Sequence, residues 1–203
     1  MKKNKISKNW INKQRRDIYV RKSKLEGYRS RAVYKLQEIN QKFNILKNGI
    51  SLVDLGAAPG SWSQYATLKF KNIKLLSIDL KDIDKIEFTT HIKGDFTDEQ
   101  QQKKIINYFD DKIDLVISDM AANTTGNKKV DSLATGELTL EALYFAIKSI
   151  KKNGVFISKI FMGSTFNEIV ATAKSKFKKV NVYKPPSSRK DSKESFIICQ
   201  NLR

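Results

Sequence analysis

The chain has 203 residues, enough for one well-buried domain and short for two. Its 39 Lys and Arg against 21 Asp and Glu give a formal charge of +18, while 40% hydrophobic content excludes a wholly disordered basic tail. One cysteine, Cys199, and one histidine, His91, exclude a disulfide framework and leave a metal site without its usual ligands. They also leave Ser-His-Asp and Cys-His chemistry without a second histidine to draw on.

No apolar stretch approaches membrane-spanning length, and the basic N-terminus lacks the apolar run of a signal peptide. The expectation is a cytoplasmic protein with no membrane and no metal partner. The first 35 residues hold 13 Lys or Arg and two acids, and residues 174–193 hold eight against Asp191. Such ends read as polyanion-binding surface, because each neutralised phosphate releases counterions. Arginines interleaved with aromatics at Trp10, Arg15, Arg16, Tyr19, Arg21, Tyr28, Arg29 and Arg31 point to nucleic acid. For the Lys-rich faces near Lys103 and Lys174, a solvated charge run is the simpler reading.

Residues 1–28 are polar with weak periodicity and read as a basic arm or partly formed helix, and 29–203 as one α/β domain. Ala32, Val33, Leu36, Ile39 and Phe43 recur at helical spacing behind Ser30, a candidate cap. "SLVDL" is followed by a helix from about Ser61, "KLLSIDL" by a polar turn, and "HIKGDF" by a helix from Asp98 to Tyr108. "IDLVISDM" leads through an Asn/Gly/Lys loop into a long helix, Asp131 to Lys151, ended by "KKNG". "GVFISKIF", a helix from Ser164 to Phe177, "KVNVYK" and "SFIICQ" complete the order. The loop "PPSSRKDSKE" suits an antiparallel final pair. This is the pattern of a seven-stranded, mostly parallel sheet with an antiparallel last strand and helices on both faces.

In such sheets ligands bind beyond the carboxyl ends of the strands, where strand order reverses. The turn after the first strand is Gly56-Ala57-Ala58-Pro59-Gly60, and Pro59 has no N–H to offer a phosphate. A nucleoside with an amino-acid tail and no phosphate fits better, and S-adenosylmethionine is the common example. Asp79 ends the second strand and Asp95 follows the third, where carboxylates accept from ribose hydroxyls and from an adenine amino group. Asp54, Gly56, Gly60, Asp79 and Asp95 form one ordered set, and Trp62 directly after the turn reads as a further ligand contact. Lys159 inside "VFISKIF" would be costly to bury unpaired.

The segments "YRSRAVYKLQEI", "VDLGAAPGSWSQY", "GDF", "SDMAAN", "SKIFMG" and "KPPSSRKDSKESF" resemble, in order, the FtsJ family of ribosomal RNA 2′-O-ribose methyltransferases. The resemblance implies a Rossmann-like class I fold, S-adenosylmethionine as cofactor, and a Lys-Asp-Lys-Glu catalytic tetrad on Lys35, Asp119, Lys159 and Glu194. It places cofactor contacts at Gly60, Trp62, Asp79, Asp95 and Asp119. Lys159 is then the general base or the group that orients the ribose hydroxyl, Lys35 stands near it, Asp119 holds Lys159, and Glu194 positions the lysines. The implied substrate is a uridine of the large-subunit ribosomal RNA A-loop in the assembled subunit, and a monomer is expected. A transfer-RNA methyltransferase or a non-catalytic assembly factor are the alternatives. Where the family commonly reads Asp-Met-Ala-Pro-Asn, this chain has Ala122 for the proline, a less restrained loop.

Overall fold

The apolar runs pair into a single seven-stranded sheet in the computed structural model of the chain, which describes residues 14, 16–110, 112–122 and 125–203. In chain order the elements are α1 (Ile18–Leu25), α2 (Val33–Phe43), β1 (Ser51–Leu55), α3 (Ser61–Lys69), β2 (Lys74–Asp79), β3 (Thr89–Lys93) and α4 (Glu99–Tyr108). They continue as β4 (Ile113–Ser118), α5 (Lys128–Ser149), β5 (Ile150–Phe161), α6 (Phe166–Lys176), β6 (Phe177–Tyr183) and β7 (Glu194–Leu202). The strand order is β3-β2-β1-β4-β5-β7-β6. Strands β1 to β5 pair parallel, and β7 runs antiparallel between β5 and β6. The sheet expected from the sequence is the one formed. Strand order reverses between β1 and β4, which opens a crevice at their carboxyl ends.

Strand alternation divides the core between the two faces. Val53, Val116, Phe156, Ile160 and Ile197 pack under α4, α5 and α6. Leu52, Leu115, Ile117, Ile157, Phe196 and Ile198 pack under α2 and α3. Of the stretch 1–28, Ile18–Leu25 forms α1, capped by Asp17 Oδ1, which accepts from Tyr19 N–H at 3.1 Å. Tyr19 packs tilted against Tyr34 of α2 with ring centroids 5.3 Å apart. Trp10 and Arg15 lie outside the described residues.

Three boundaries differ from the pattern in the sequence. Ser30 does not cap α2 from the N-cap position. Its hydroxyl accepts from the Ala32 N–H at 3.2 Å, while Ala32 is the cap residue. Helix α5 starts earlier, because Asn127 Oδ1 caps it through the Lys129 and Val130 N–H groups. It also ends earlier, at Ser149, because Ile150 pairs with Ile113 and "KKNG" is a bulge in β5 rather than a helix end. A Cβ at Gly154 would lie 2.9 Å from the Lys151 carbonyl, so the bulge closes only around glycine there.

Phe196 joins the core to the end of the sheet. It is fully buried, its ring lies 5.8 Å from that of Trp62, and the Lys35 ammonium stands 5.5 Å from its centroid. Phe196→Ala is expected to cost about 3–5 kcal/mol of folding free energy by leaving a cavity, read as a lowered urea midpoint at unchanged slope.

Candidate active site

Period-two alternation carries three of the four tetrad groups to one spot. On β4, Leu115 and Ile117 face the α2 and α3 side, and Asp119 is the next position of that parity, just past the strand end. On β5 the same stripe runs Ile157 to Lys159, and on the antiparallel β7 it runs back from Ile198 through Phe196 to Glu194. Helix α2 lies across this face with Leu36 and Ile39 buried, and Lys35 beside them reaches the strand ends. Each charged group thus sits one step beyond an apolar row.

Lys35 Nζ is 3.2 Å from Asp119 Oδ2 and 3.0 Å from Glu194 Oε2. Lys159 Nζ is 3.1 Å from Asp119 Oδ1 and donates to the Asp119 carbonyl at 2.6 Å. No member's side chain is more than 18% exposed, so these pairs are not the screened pairs of a protein surface. Burial alone would raise the Asp119 carboxyl, but the ammonium groups of Lys159 and Lys35 hold it below the ordinary carboxylate range. Burial would lower the Lys35 ammonium, and the Asp119 and Glu194 carboxylates outweigh it, so its pKa is raised and it stays a cation. Ser188 Oγ donates to Glu194 Oε1 at 2.9 Å and orients that carboxylate.

Two cavities open on either side of this network. The first, about 280 Å3, lies at the exits of β1, β2, β3 and β4, with Gly56, Asp79, Asp95, Phe96, Asp119 and Met120 in its wall. Asp79 Oδ2 accepts from the Ala58 N–H and Oδ1 from the Lys81 N–H, both at 2.9 Å, so its carboxylate is fixed with one lone pair on each oxygen left to use. Asp95 Oδ1 accepts from Thr97 N–H and Oγ1. Gly56 has φ 71° and a Cβ on it would lie 2.1 Å from Met120 Cγ, so only glycine lets the two strand exits approach this closely. Three carboxylates against one lysine, Lys81, repel a pyrophosphate and suit a sulfonium and an α-ammonium. The donor set therefore fits S-adenosylmethionine.

The second cavity, about 340 Å3, has Arg31, Lys35 and Arg189 in its wall together with Asp191, Ser192 and Glu194. Lys35 and Glu194 face this cavity, Asp119 faces the first, and Lys35 is hydrogen-bonded to both carboxylates.

Gly60 and Trp62 do not line the first cavity. Helix α3 turns Trp62, Tyr65 and Ala66 into the core at helical spacing, and the indole Nε1 donates to the Ala32 carbonyl at 2.7 Å. The Gly60 N–H is engaged as well, donating to the Ala57 carbonyl at 2.5 Å. His91 Nδ1 pairs with Ser77 Oγ at 3.0 Å within the sheet, and Cys199 is buried in the core. The N–H that a proline at 122 would lack is used: Ala122 donates to Thr135 Oγ1 at 3.1 Å and ties the loop to α5. Among the described residues, no group of three or more His, Cys, Asp or Glu is placed to hold a metal ion.

Sequence reasoning missed Asp17 and Glu38. Asp17 receives Arg31 and also Arg189, the latter at 3.4 Å, which brings the start of α1 to the loop before β7. Glu38 Oε2 accepts from Ser187 N–H at 2.8 Å and Oγ at 2.6 Å and fixes the same loop.

The sequence profile described as FtsJ-like methyltransferase matches residues 28–202. The chain belongs to this family. Within and around it, the chain is 62% identical over 203 residues to the ribosomal RNA large subunit methyltransferase E of Pelagibacter ubique, covering 100% of both. It is 44% identical over 197 residues to the protein of that name from Zymomonas mobilis, covering 97% of this chain and 89% of that one. Among solved structures it resembles a protein provisionally described as a ribosomal RNA methyltransferase from Plasmodium falciparum, with TM-score 0.76 and 34% identity. That match covers 86% of this chain and 98% of the other. The FtsJ-like profile begins where α1 ends and contains the whole tetrad and the acid-lined cavity.

Beneath that cavity Asp54 is fully buried, with Oδ2 accepting from Ser63 N–H at 3.2 Å and Oγ at 2.7 Å. Burial pushes its carboxyl up to about 7 against those two hydrogen bonds, with the Asp119 and Asp79 charges adding to the rise. Between 3.8 and about 7 the folded protein keeps a proton that the unfolded chain releases. Its contribution to stability is complete below that window and lost as pH rises through it. In Asp54→Asn this loss disappears, so the melting temperature of the variant minus that of the parent should climb steadily from the bottom of the window to the top. A difference flat with pH would contradict the assignment.

Proposed function

We propose that this FtsJ-like methyltransferase transfers the methyl group of S-adenosylmethionine to the ribose 2′-hydroxyl of a uridine in large-subunit ribosomal RNA, in the A-loop of the assembled subunit. The observation that carries the reading is that the tetrad bridges two cavities. Asp119 faces the acid-lined one that suits the cofactor, and Lys35 and Glu194 face the second, whose wall carries both signs of charge, Arg31 and Arg189 as well as Asp191. A hydroxyl entering from the second cavity meets Lys35 and Glu194 first, with Lys159 reached through Asp119, the carboxylate it shares with Lys35. The formal charge of +18 supports an RNA partner, and the names of the relatives support a ribosomal one. Uridine and the A-loop rest on the family resemblance. The same reading makes 1–28 an RNA-contacting arm, 29–203 the catalytic domain, and the protein a monomer acting in the cytoplasm, where ribosomes mature. Among the described residues no helix is long and apolar enough to cross a membrane.

When bound, S-adenosylmethionine supplies a methyl group already activated on a sulfonium. The protein's task is to align one hydroxyl and manage its proton. With the methyl donor bound, the Lys159 ammonium would donate a hydrogen bond to the ribose oxygen and aim it at the methyl group, and the proton the hydroxyl gives up would leave to solvent through the second cavity. Asp119 holds Lys159 Nζ through its carbonyl and carboxylate. Lys35 stays a cation and stabilises charge growing on the ribose oxygen. Glu194 holds Lys35 and touches neither reacting group.

Lys159→Ala is expected to lower turnover about 100-fold or more while S-adenosylmethionine binding, measured by calorimetry, stays within a few-fold of the parent. Glu194→Gln should lose less. Retained turnover in Lys159→Ala would overturn the role given to this residue.

A further inference from the structure

We infer that Arg29 is a positioning residue of the cofactor cavity, fastening its two walls together, rather than one of the RNA-contacting arginines. The inference rests on reading the first cavity as the S-adenosylmethionine site. The walls are the turn 56–60 after β1 and the segment that follows β2. Asp79 joins them at one end, through its hydrogen bond from Ala58 N–H. At the other end the Arg29 guanidinium spans both: Nη1 donates to the Pro59 carbonyl at 3.0 Å and to the Asp84 carbonyl at 2.8 Å, and Nη2 donates to the Lys85 carbonyl at 2.9 Å. A planar fork of donors can meet carbonyls of two segments at once, which a single ammonium does poorly.

The packing around Gly60 shows how tight this junction is. A Cβ there would lie 2.7 Å from Ile86 Cδ1, 3.1 Å from Arg29 Nη1 and 3.3 Å from Ile83 Cδ1. The arginine itself is held from behind. Its backbone N–H donates to Gln64 Oε1 at 3.0 Å, and Gln64 Nε2 returns a hydrogen bond to the Gly27 carbonyl at 2.9 Å. The linker between α1 and α2 is thereby tied to α3, the helix that starts at the turn. Pro59, Asp84 and Lys85 do not line the cavity themselves but continue the two segments whose Ala58, Leu80 and Lys81 do, and the three donors spent on their carbonyls are withheld from RNA phosphates. Without them, the segment 80–86 loses its fixed distance from the turn, and Asp79 loses the alignment its two N–H donors give it.

The test compares Arg29→Ala and Arg29→Lys with the parent. It measures the S-adenosylmethionine Kd by calorimetry, KM for cofactor and for large ribosomal subunits, kcat at saturating cofactor, and Tm without cofactor. For Arg29→Ala the cofactor Kd and KM should rise about tenfold, with kcat within about twofold and KM for subunits unchanged. Arg29→Lys should fall between the two. A raised KM for subunits with unchanged cofactor Kd would overturn the inference and make Arg29 a phosphate contact, and so would no change in any constant. If Arg29→Ala does not fold, Arg29→Lys decides by the same split between cofactor and subunit constants. If the parent binds no S-adenosylmethionine, the reading of the cavity fails and this inference with it. Parent binding with both variants unchanged removes the inference alone.

Discussion

The Asp119 carboxylate stands between two ammonium groups at the point where β4 ends, and the site is organised around keeping it there. Two lysines and two carboxylates balance in charge, which is what allows all four to be largely removed from water. Removing one member would leave an uncompensated charge in place, so each residue constrains the other three. The sheet order places β4 and β5 side by side with β7 next to them, and this brings Asp119 and Glu194 within reach of one lysine from α2 and Lys159 within reach of Asp119. The catalytic proposal follows from that geometry, because the network is also the partition between the two cavities.

The same charge logic explains what the first cavity admits. Its turn has the look of a phosphate loop, yet its walls carry Asp79, Asp95 and Asp119. An anionic ligand would be repelled there, and a nucleoside bearing a sulfonium and an ammonium would be attracted. The Gly56 close approach and the Asp79 hydrogen bonds are therefore parts of one device: they bring the strand exits together and fix the carboxylate before a ligand arrives. Arg29 extends that device to the far side of the turn.

How much of this was legible in the sequence depended on whether the information was local. Strand alternation put Asp119 one step beyond Leu115 and Ile117, and Lys159 one step beyond Ile157, so both could be read from their own strands. Lys35 and Glu194 needed the family resemblance, because 159 residues separate them and no local pattern joins them. The burial of the Trp62 indole is legible in the stripe that Trp62, Tyr65 and Ala66 form at helical spacing, a stripe of the kind that faces a core, although its place directly after the turn favours a ligand contact. The bulge at "KKNG" was hidden because lysines before a glycine look like a helix end. The hydrogen bonds of Arg29 and Arg31 to the carbonyls of Asp84 and Ser187 had no local signal, because only the tertiary fold brings those carbonyls to them.

The most direct test of the central claim is where the methyl group goes. Purified protein would be incubated with methyl-labelled S-adenosylmethionine and large ribosomal subunits from a strain lacking its own enzyme. The label would then be mapped by nucleoside analysis and primer extension, with bulk transfer RNA as a parallel substrate. The account predicts label on the ribose 2′-oxygen of one uridine in the A-loop of the large-subunit RNA. Label on a base, or on transfer RNA with the A-loop untouched, would contradict it.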